Sequence, residues 1–357
     1  MRARAADTWD EPSVPEMTAP RYPTATVRAL AARIRSPRAR RPLIAAIAAT
    51  VLALATWGAL HSVDPGHVRQ SFADVSWPWI VAAAAAYAAT QIVSALVWSV
   101  GLSAGGLGEI GRGHVLRAHL LGRGACELLP AHLGETVRFA AIRRHPAACG
   151  GGMRIAGSMG AFKVVDGVVT FAVVAAAAVV APLPDGASGV RWLAGGMLVG
   201  LILAAIALWK LGPTRLAHLV PVRARGVVEA LGRGAALLAS GRAMAAAAGL
   251  QLVAIGFRVL SLAALLAAFG LPPGAAPLVF GLMILTGYLA ISPGGAGVRE
   301  AALVPVLVAT YGLGAAPALA FSLGVQAIAL AVSLLGALVA LLLQRRIAHP
   351  TPRMATA

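Results

Sequence analysis

Long blocks of apolar residues, uninterrupted by the polar stripe that a half-wet helix carries, recur along this chain. Six approach the roughly 20 residues that a helix needs to cross a bilayer: Leu43–Leu60, Ile80–Gly101, Ala161–Ala181, Trp192–Trp209, Ala243–Phe269 and Ala315–Leu343. Two further stretches are broken. Residues 277–311 break at Ser292-Pro293-Gly294-Gly295-Ala296-Gly297, and each flanking arm of about 15 residues is too short to span alone. Pro293 removes a backbone donor and restrains Ser292, and the glycines that follow let the chain turn freely. Residues 114–142 break at Pro130 and Gly134, with His114, Arg117, His119 and Arg123 diluting the apolar signal.

Irregular backbone persists at membrane depth only where protein packs against it or where it lines a cavity. The pattern therefore predicts an all-α integral membrane protein with about six full transmembrane helices and two re-entrant broken hairpins, 114–142 and 277–311. The competing readings are an extramembrane turn for the second break and an interfacial amphipathic pair for the first. The order span, hairpin, span occurs twice, the second time upside down. Broken segments at matching positions of two inverted halves are the sequence pointer to a transporter's midplane site.

Charge fixes the orientation. Segments placed in the cytoplasm hold 25 Lys and Arg, against Arg69 and Arg191 in the external loops, so both termini are expected inside the inner (plasma) membrane. Residues 1–42 read as a basic, disordered cytoplasmic tail, 43–343 as the membrane domain and 344–357 as a short cytoplasmic tail. The start of Leu43–Leu60 lies too far along for a typical cleavable signal, so it is expected to be a retained anchor. A surface helix is expected around Val227–Leu238. The 357 residues are 59% apolar and 12% charged, with mean hydropathy +0.80, which excludes an ordinary soluble domain. The net charge of +17 brings no basic stripe interleaved with aromatics, so nucleic acid is not the expected partner. Cys126 and Cys149 fall on the expected cytoplasmic side, and no Cys/His cluster has metal spacing; neither disulfide, metal nor cofactor is expected. Gly106-Leu-Gly-Glu-Ile-Gly111 matches a dinucleotide-binding glycine pattern but follows a membrane helix instead of a strand.

Eight ionisable residues stand in or beside the apolar segments: Glu127, Glu135, Asp166 and Glu300, with Arg138, Lys163, Arg258 and Arg299. Each is costly alone in hydrocarbon, so pairing is expected, and equal numbers permit it. Lys163 and Asp166 fall in the first turns of the third span, where structural pairing is the simpler reading. Arg258 sits mid-span and should face the protein interior; pairing with Glu300 or Glu127 and a ligand role both remain open. Arg138 and Arg299 each follow a break at the start of a half-helix, where free amides and the positive dipole end favour anions and the guanidinium fork suits phosphate. The candidate binding set is Arg138, Arg258 and Arg299 with Gly294, Gly295 and Gly297. Glu127, Glu135, Lys163, Asp166 and Glu300 support it, and Pro130, Gly134 and Pro293 make the breaks.

Three patches, Glu127-Leu-Leu-Pro130…Gly134-Glu135…Arg138, Lys163…Asp166 and Pro293-Gly-Gly…Gly297-Val-Arg299-Glu300, give a resemblance over residues 43–343. The chain resembles the transmembrane (flippase-like) domain family of lysylphosphatidylglycerol synthases. It departs from that family in Glu127, where Asn is expected, and in Phe162-Lys163, where Glu-Arg is frequent. The resemblance implies movement of an anionic phospholipid, or of a polyprenyl-phosphate-linked glycan, across the bacterial inner membrane. About 14 residues follow the last span, so the synthase domain of the full enzymes is not expected and the chain should not be an enzyme. The alternatives are a non-transporting membrane partner of a glycosyltransferase or other envelope enzyme, and an intramembrane enzyme acting on lipid phosphates.

Overall fold

The computed structural model describes residues 64–129, 133–149, 151–180, 195–196, 199–200, 203, 229–289, 295 and 297–348. The tail 1–42, the span Leu43–Leu60, nearly all of Trp192–Trp209, and Pro130, Pro293 and Gly294 lie outside the described residues, as do 349–357. The fold is all-helical, with no strand among the described residues. Its helices are α1 (Pro65–Ala73), α2 (Trp77–Leu102), α3 (Arg112–Leu128), α4 (Gly134–Arg143), α5 (Gly152–Val180), α6 (Gly241–Ala268), α7 (Ala276–Leu289), α8 (Val298–Tyr311) and α9 (Ala315–Ala348). Among the described residues, four helical stretches are long and apolar enough to cross a bilayer: Trp77–Leu107, Gly152–Ala177, Gly241–Ala268 and Ala315–Leu343. The chain is a multi-pass membrane protein.

α5 corrects one expectation. It starts at Gly152, not Ala161, which moves Lys163 and Asp166 from the first turns into the body of the helix. The extra turns carry Arg154, whose guanidinium folds back on α2 and donates to the carbonyls of Gly105 (2.8 Å from Nη2) and Gly106 (2.6 Å). α2 ends there in a π-helical turn, Ser103–Leu107, with Gly106 at φ 72°, a left-handed conformation that suits glycine. The segment expected as a surface helix is helical over 229–234 and continues as a 3-10 turn, Ala235–Ala239, that inserts Leu237 and Leu238 into a core cluster.

Two apolar clusters make up the core among the described residues. One joins α6, α7, α8 and α9 through Leu266, Val279, Phe280, Leu303, Leu307 and Phe321. The other joins α2, α3, α4 and α5 through Trp98, Leu102, Val115, Ile142 and Ile155. α6 lies along α2 and passes both, and α9 packs against α3 and α8. Both broken stretches therefore share α5 and α9 as neighbours, with α2 beside the first and α6 beside the second.

Candidate functional site

α3 presents His119, Arg123 and Glu127 at four-residue steps, hence on one face. Arg123 Nη2 donates to Glu127 Oε1 and to Tyr87 Oη of α2, both at 3.0 Å. On α4, Glu135 and Arg138 are one turn apart, and Arg138 Nη1 lies 3.0 Å from Glu135 Oε2. The other oxygen of Glu135 lies 2.9 Å from Lys163 Nζ on α5, so one carboxylate serves two bases. Arg138 is only 3% exposed and its guanidinium sits 5.5 Å from the Trp98 ring centre, a cation–π contact. Glycine permits this placement: a Cβ on Gly134 would collide with the Gly122 carbonyl and with Cys126, and one on Gly122 would crowd Arg138. The break at Gly134 therefore brings α4 onto α3.

Across from these bases stands a wall of acceptors. Asp166 Oδ1 accepts from Gln251 Nε2 of α6 at 2.5 Å and from Thr170 Oγ1 at 3.4 Å. His119 Nε2 lies 3.2 Å from Gln91 Oε1 on α2. Two turns beyond Gln251 on the same face of α6 comes Arg258, with its guanidinium 5.9 Å from the Phe280 ring centre. Among the described residues no carboxylate lies within salt-bridge range of Arg258. The expected partners are engaged elsewhere: Glu127 with Arg123, and Glu300 with its own helix start.

At the second break the backbone turns through Gly295 (φ 78°) and Gly297 (φ 86°), both left-handed. The Gly297 amide, at the mouth of α8, donates to Glu300 Oε2 at 2.6 Å, and Ser322 Oγ of α9 donates to the other oxygen at 3.4 Å. A buried internal carboxylate thus caps the positive end of this helix. Arg299, next to it, donates from Nη1 to Gln326 Oε1 at 2.6 Å.

Two cavities lie between these helices. The first, about 90 Å³, is lined by four basic groups, Arg123, Arg138, Lys163 and Arg258, against the carboxylates of Glu135 and Asp166. The second, about 40 Å³, is lined by Arg123, Arg258 and Arg299 against Glu127. Tyr87, Arg123 and Arg258 belong to both, so these side chains form the partition between them. The space accommodates a few waters or one compact polar group. Its excess of guanidinium groups over carboxylates favours an anion, and guanidinium matches phosphate oxygens with two parallel bonds.

The structure brings Arg138 and Arg258 to one cavity and Arg258 and Arg299 to the other, with Glu127, Glu135, Lys163 and Asp166 on their walls. Gly297 and Glu300 adjoin Arg299. Sequence reasoning passed over Arg123, which it counted as dilution of an apolar arm, and the polar side of α2. Tyr87, Thr90, Gln91 and Ser94 line the first cavity, spaced so that they share one helix face. That spacing was the available signal, inside a span otherwise rich in alanine.

No curated protein and no solved structure matches the chain. The family model described as the lysylphosphatidylglycerol synthase TM region matches residues 43–336. With that match running through every helix that lines the two cavities, the chain belongs to the lysylphosphatidylglycerol synthase transmembrane-region family.

Proposed function

We propose that this protein translocates an anionic phospholipid or lipid-linked sugar across the bacterial inner membrane, with both termini cytoplasmic. In this reading the helix pairs α3/α4 and α7/α8 are re-entrant hairpins that enter from opposite faces. One observation supports it: Arg258, an arginine in the middle of a membrane-length helix, lines both cavities, together with Tyr87 and Arg123. An intramembrane arginine that faces a polar cavity instead of a carboxylate is the kind of residue that marks a path for charge. A head-group phosphate entering beside Arg138 would meet Arg123 and Arg258 next, and Arg299 after them. Acyl chains would stay in the bilayer, since neither cavity has room for them.

The test is movement of a fluorescently tagged phosphatidylglycerol between leaflets of vesicles containing the purified protein. Arg258→Gln is expected to slow it by at least about tenfold, the effect of losing a desolvated charge contact, and Arg299→Ala to abolish it. Thermal unfolding should be unchanged in both. Wild-type rates in either variant would remove that arginine from the path. No movement by the wild type, together with an envelope glycosyltransferase that co-purifies stably, would favour the role of membrane partner instead.

A further inference from the structure

The two ends of the first broken stretch meet in a pair of histidines that the transport reading leaves unused. His114 lies in the first turn of α3, and His145 follows the last turn of α4 and opens a 3-10 turn, Pro146–Ala148. Their rings stand edge to face, 4.8 Å between centres and 72° apart. His114 Nε2 lies 3.2 Å from the carbonyl oxygen of Ala141 in the last turn of α4. A carbonyl only accepts, so in the neutral ring that nitrogen carries the hydrogen and Nδ1 is bare. On His145 it is Nδ1 that accepts from the Ala147 amide, at 3.2 Å, and so is bare as well. Each ring therefore takes up a proton at Nδ1. The surroundings are cationic. Arg117, one turn along α3, adds positive charge beside His114, and Arg112, Arg143 and Arg144 stand exposed close by in the chain. Among the described residues no carboxylate pairs with either histidine. Glu109 is exposed, Glu127 and Glu135 hold arginine and lysine, and Asp166 accepts from Gln251 and Thr170. α2 and the described side chains of α9 bring no charge, and Arg154 of α5 is committed to the carbonyls of Gly105 and Gly106.

We propose that His114 and His145 form an acid-sensitive latch between the start of α3 and the end of α4, closed while both rings are neutral and released as they gain protons. A proton on His145 lands on the atom that accepts from Ala147, so that N–H then faces N–H and the turn loses its cap. A proton on His114 leaves the Ala141 bond in place but sets one imidazolium against another across the ring contact, with Arg117 adding to the repulsion. The opened form therefore binds more protons than the closed one. By linkage, opening gains as pH falls through the range, about pH 6.5, in which histidine ordinarily titrates. At about pH 7.5 the latch is closed. What it steadies is the connection to α5. Ala148 is 1% exposed in the apolar core, its carbonyl accepts from the Gly151 amide at 2.9 Å, and the Gly151 carbonyl accepts from Ile155 at 3.0 Å as α5 begins. α5 carries Lys163, which bonds Glu135 on α4, so the capped turn and that ion pair join the same two helices. The latch does not depend on lipid movement. On the cytoplasmic side, where the transport reading puts this end of the molecule, it responds to acidification of the cell interior.

The test is hydrogen–deuterium exchange of the full-length protein in detergent at about pH 5.5 and about pH 7.5, read by mass spectrometry and corrected for the intrinsic pH dependence of amide exchange. α6 is the internal reference, because Gly241–Ala268 contains neither an acid nor a histidine. In the wild type, residues 142–155 should exchange about tenfold faster at the lower pH while α6 does not change; tenfold is what one proton supplies over about one pH unit below histidine's ordinary range. In His145→Asn the side-chain oxygen can still cap the Ala147 amide and takes up no proton, so the ratio for 142–155 should fall below about twofold. His114→Phe keeps a ring edge to face with His145 but removes one of the two charges, and its ratio should fall as well. Equal corrected rates at the two pH values in the wild type overturn the latch. An acceleration that α6 shares overturns it too, because it reports general loosening in acid. So does an unaltered acid response in either variant. The first two outcomes need the wild type alone and decide the matter even if neither variant folds.

Discussion

The charged side chains beside the first break, on α3 and α4, are ion-paired within each helix and from α4 to α5, whereas at the start of α8 a single carboxylate collects hydrogen bonds. In the first pair Glu135 is shared by Arg138 and Lys163, and Arg123 reaches both Glu127 and Tyr87. In the second, Glu300 seals the start of α8 by accepting from Gly297 and is steadied by Ser322. A carboxylate shared between two cations can be replaced on one of them by an arriving anion at small net cost. A carboxylate that closes a helix end against its own backbone is not so easily displaced. Similar outlines thus use their carboxylates differently: the first divides one between two bases, and the second closes a helix start with one.

The comparison breaks most readily at Glu135. Glu135→Gln leaves the buried Arg138 without a charged partner, and thermal unfolding in detergent should report a loss of about 3 kcal/mol. A loss under about 1 kcal/mol would mean that α4 is held by packing alone. Glu300→Gln should cost less, about 1–2 kcal/mol, because the amide oxygen can still accept from Gly297 and only the charge reinforcement disappears. If it costs more than Glu135→Gln, the second break and not the first depends most on its carboxylate. The smallest effect is expected from Lys163→Met, below about 1 kcal/mol, since the Lys163 side chain is 53% exposed and Glu135 keeps Arg138 as its partner when Lys163 is gone. Lipid movement in that variant distinguishes an entry role for Lys163 from a purely structural one: slower movement with unchanged stability assigns it to entry.

Much of this was legible in the chain itself. The block lengths of apolar residues gave α2, α6 and α9 to within a few residues, because a bilayer allows few alternatives to a helix of that length. The glycine break before Arg299 was readable for the same kind of reason: left-handed backbone at Gly295 and Gly297 is nearly a glycine prerogative. The early start of α5 was hidden, since Gly151, Gly152 and Arg154 read as polar loop until Arg154 is seen to bind the carbonyls of α2. Pairing was hidden too. Counting equal acids and bases said nothing of geometry, and Arg123, left out of that count, takes Glu127. The polar face of α2 was spelled out at helical spacing, but neutral Tyr87, Thr90, Gln91 and Ser94 gain meaning only once charged helices are packed against them.

The clasp of Arg154 on Gly105 and Gly106 belongs to a place where three backbones touch. A Cβ on Gly105 would crowd Gly234, one on Gly157 would strike the Leu231 carbonyl, and one on Gly234 would strike Arg154. Side chains can change rotamer to let helices slide, but main chains in van der Waals contact have nothing to rearrange. Any alternation of this molecule between two open forms would therefore have to pivot on that knot of glycines, with the larger excursions at the far ends of the helices it joins.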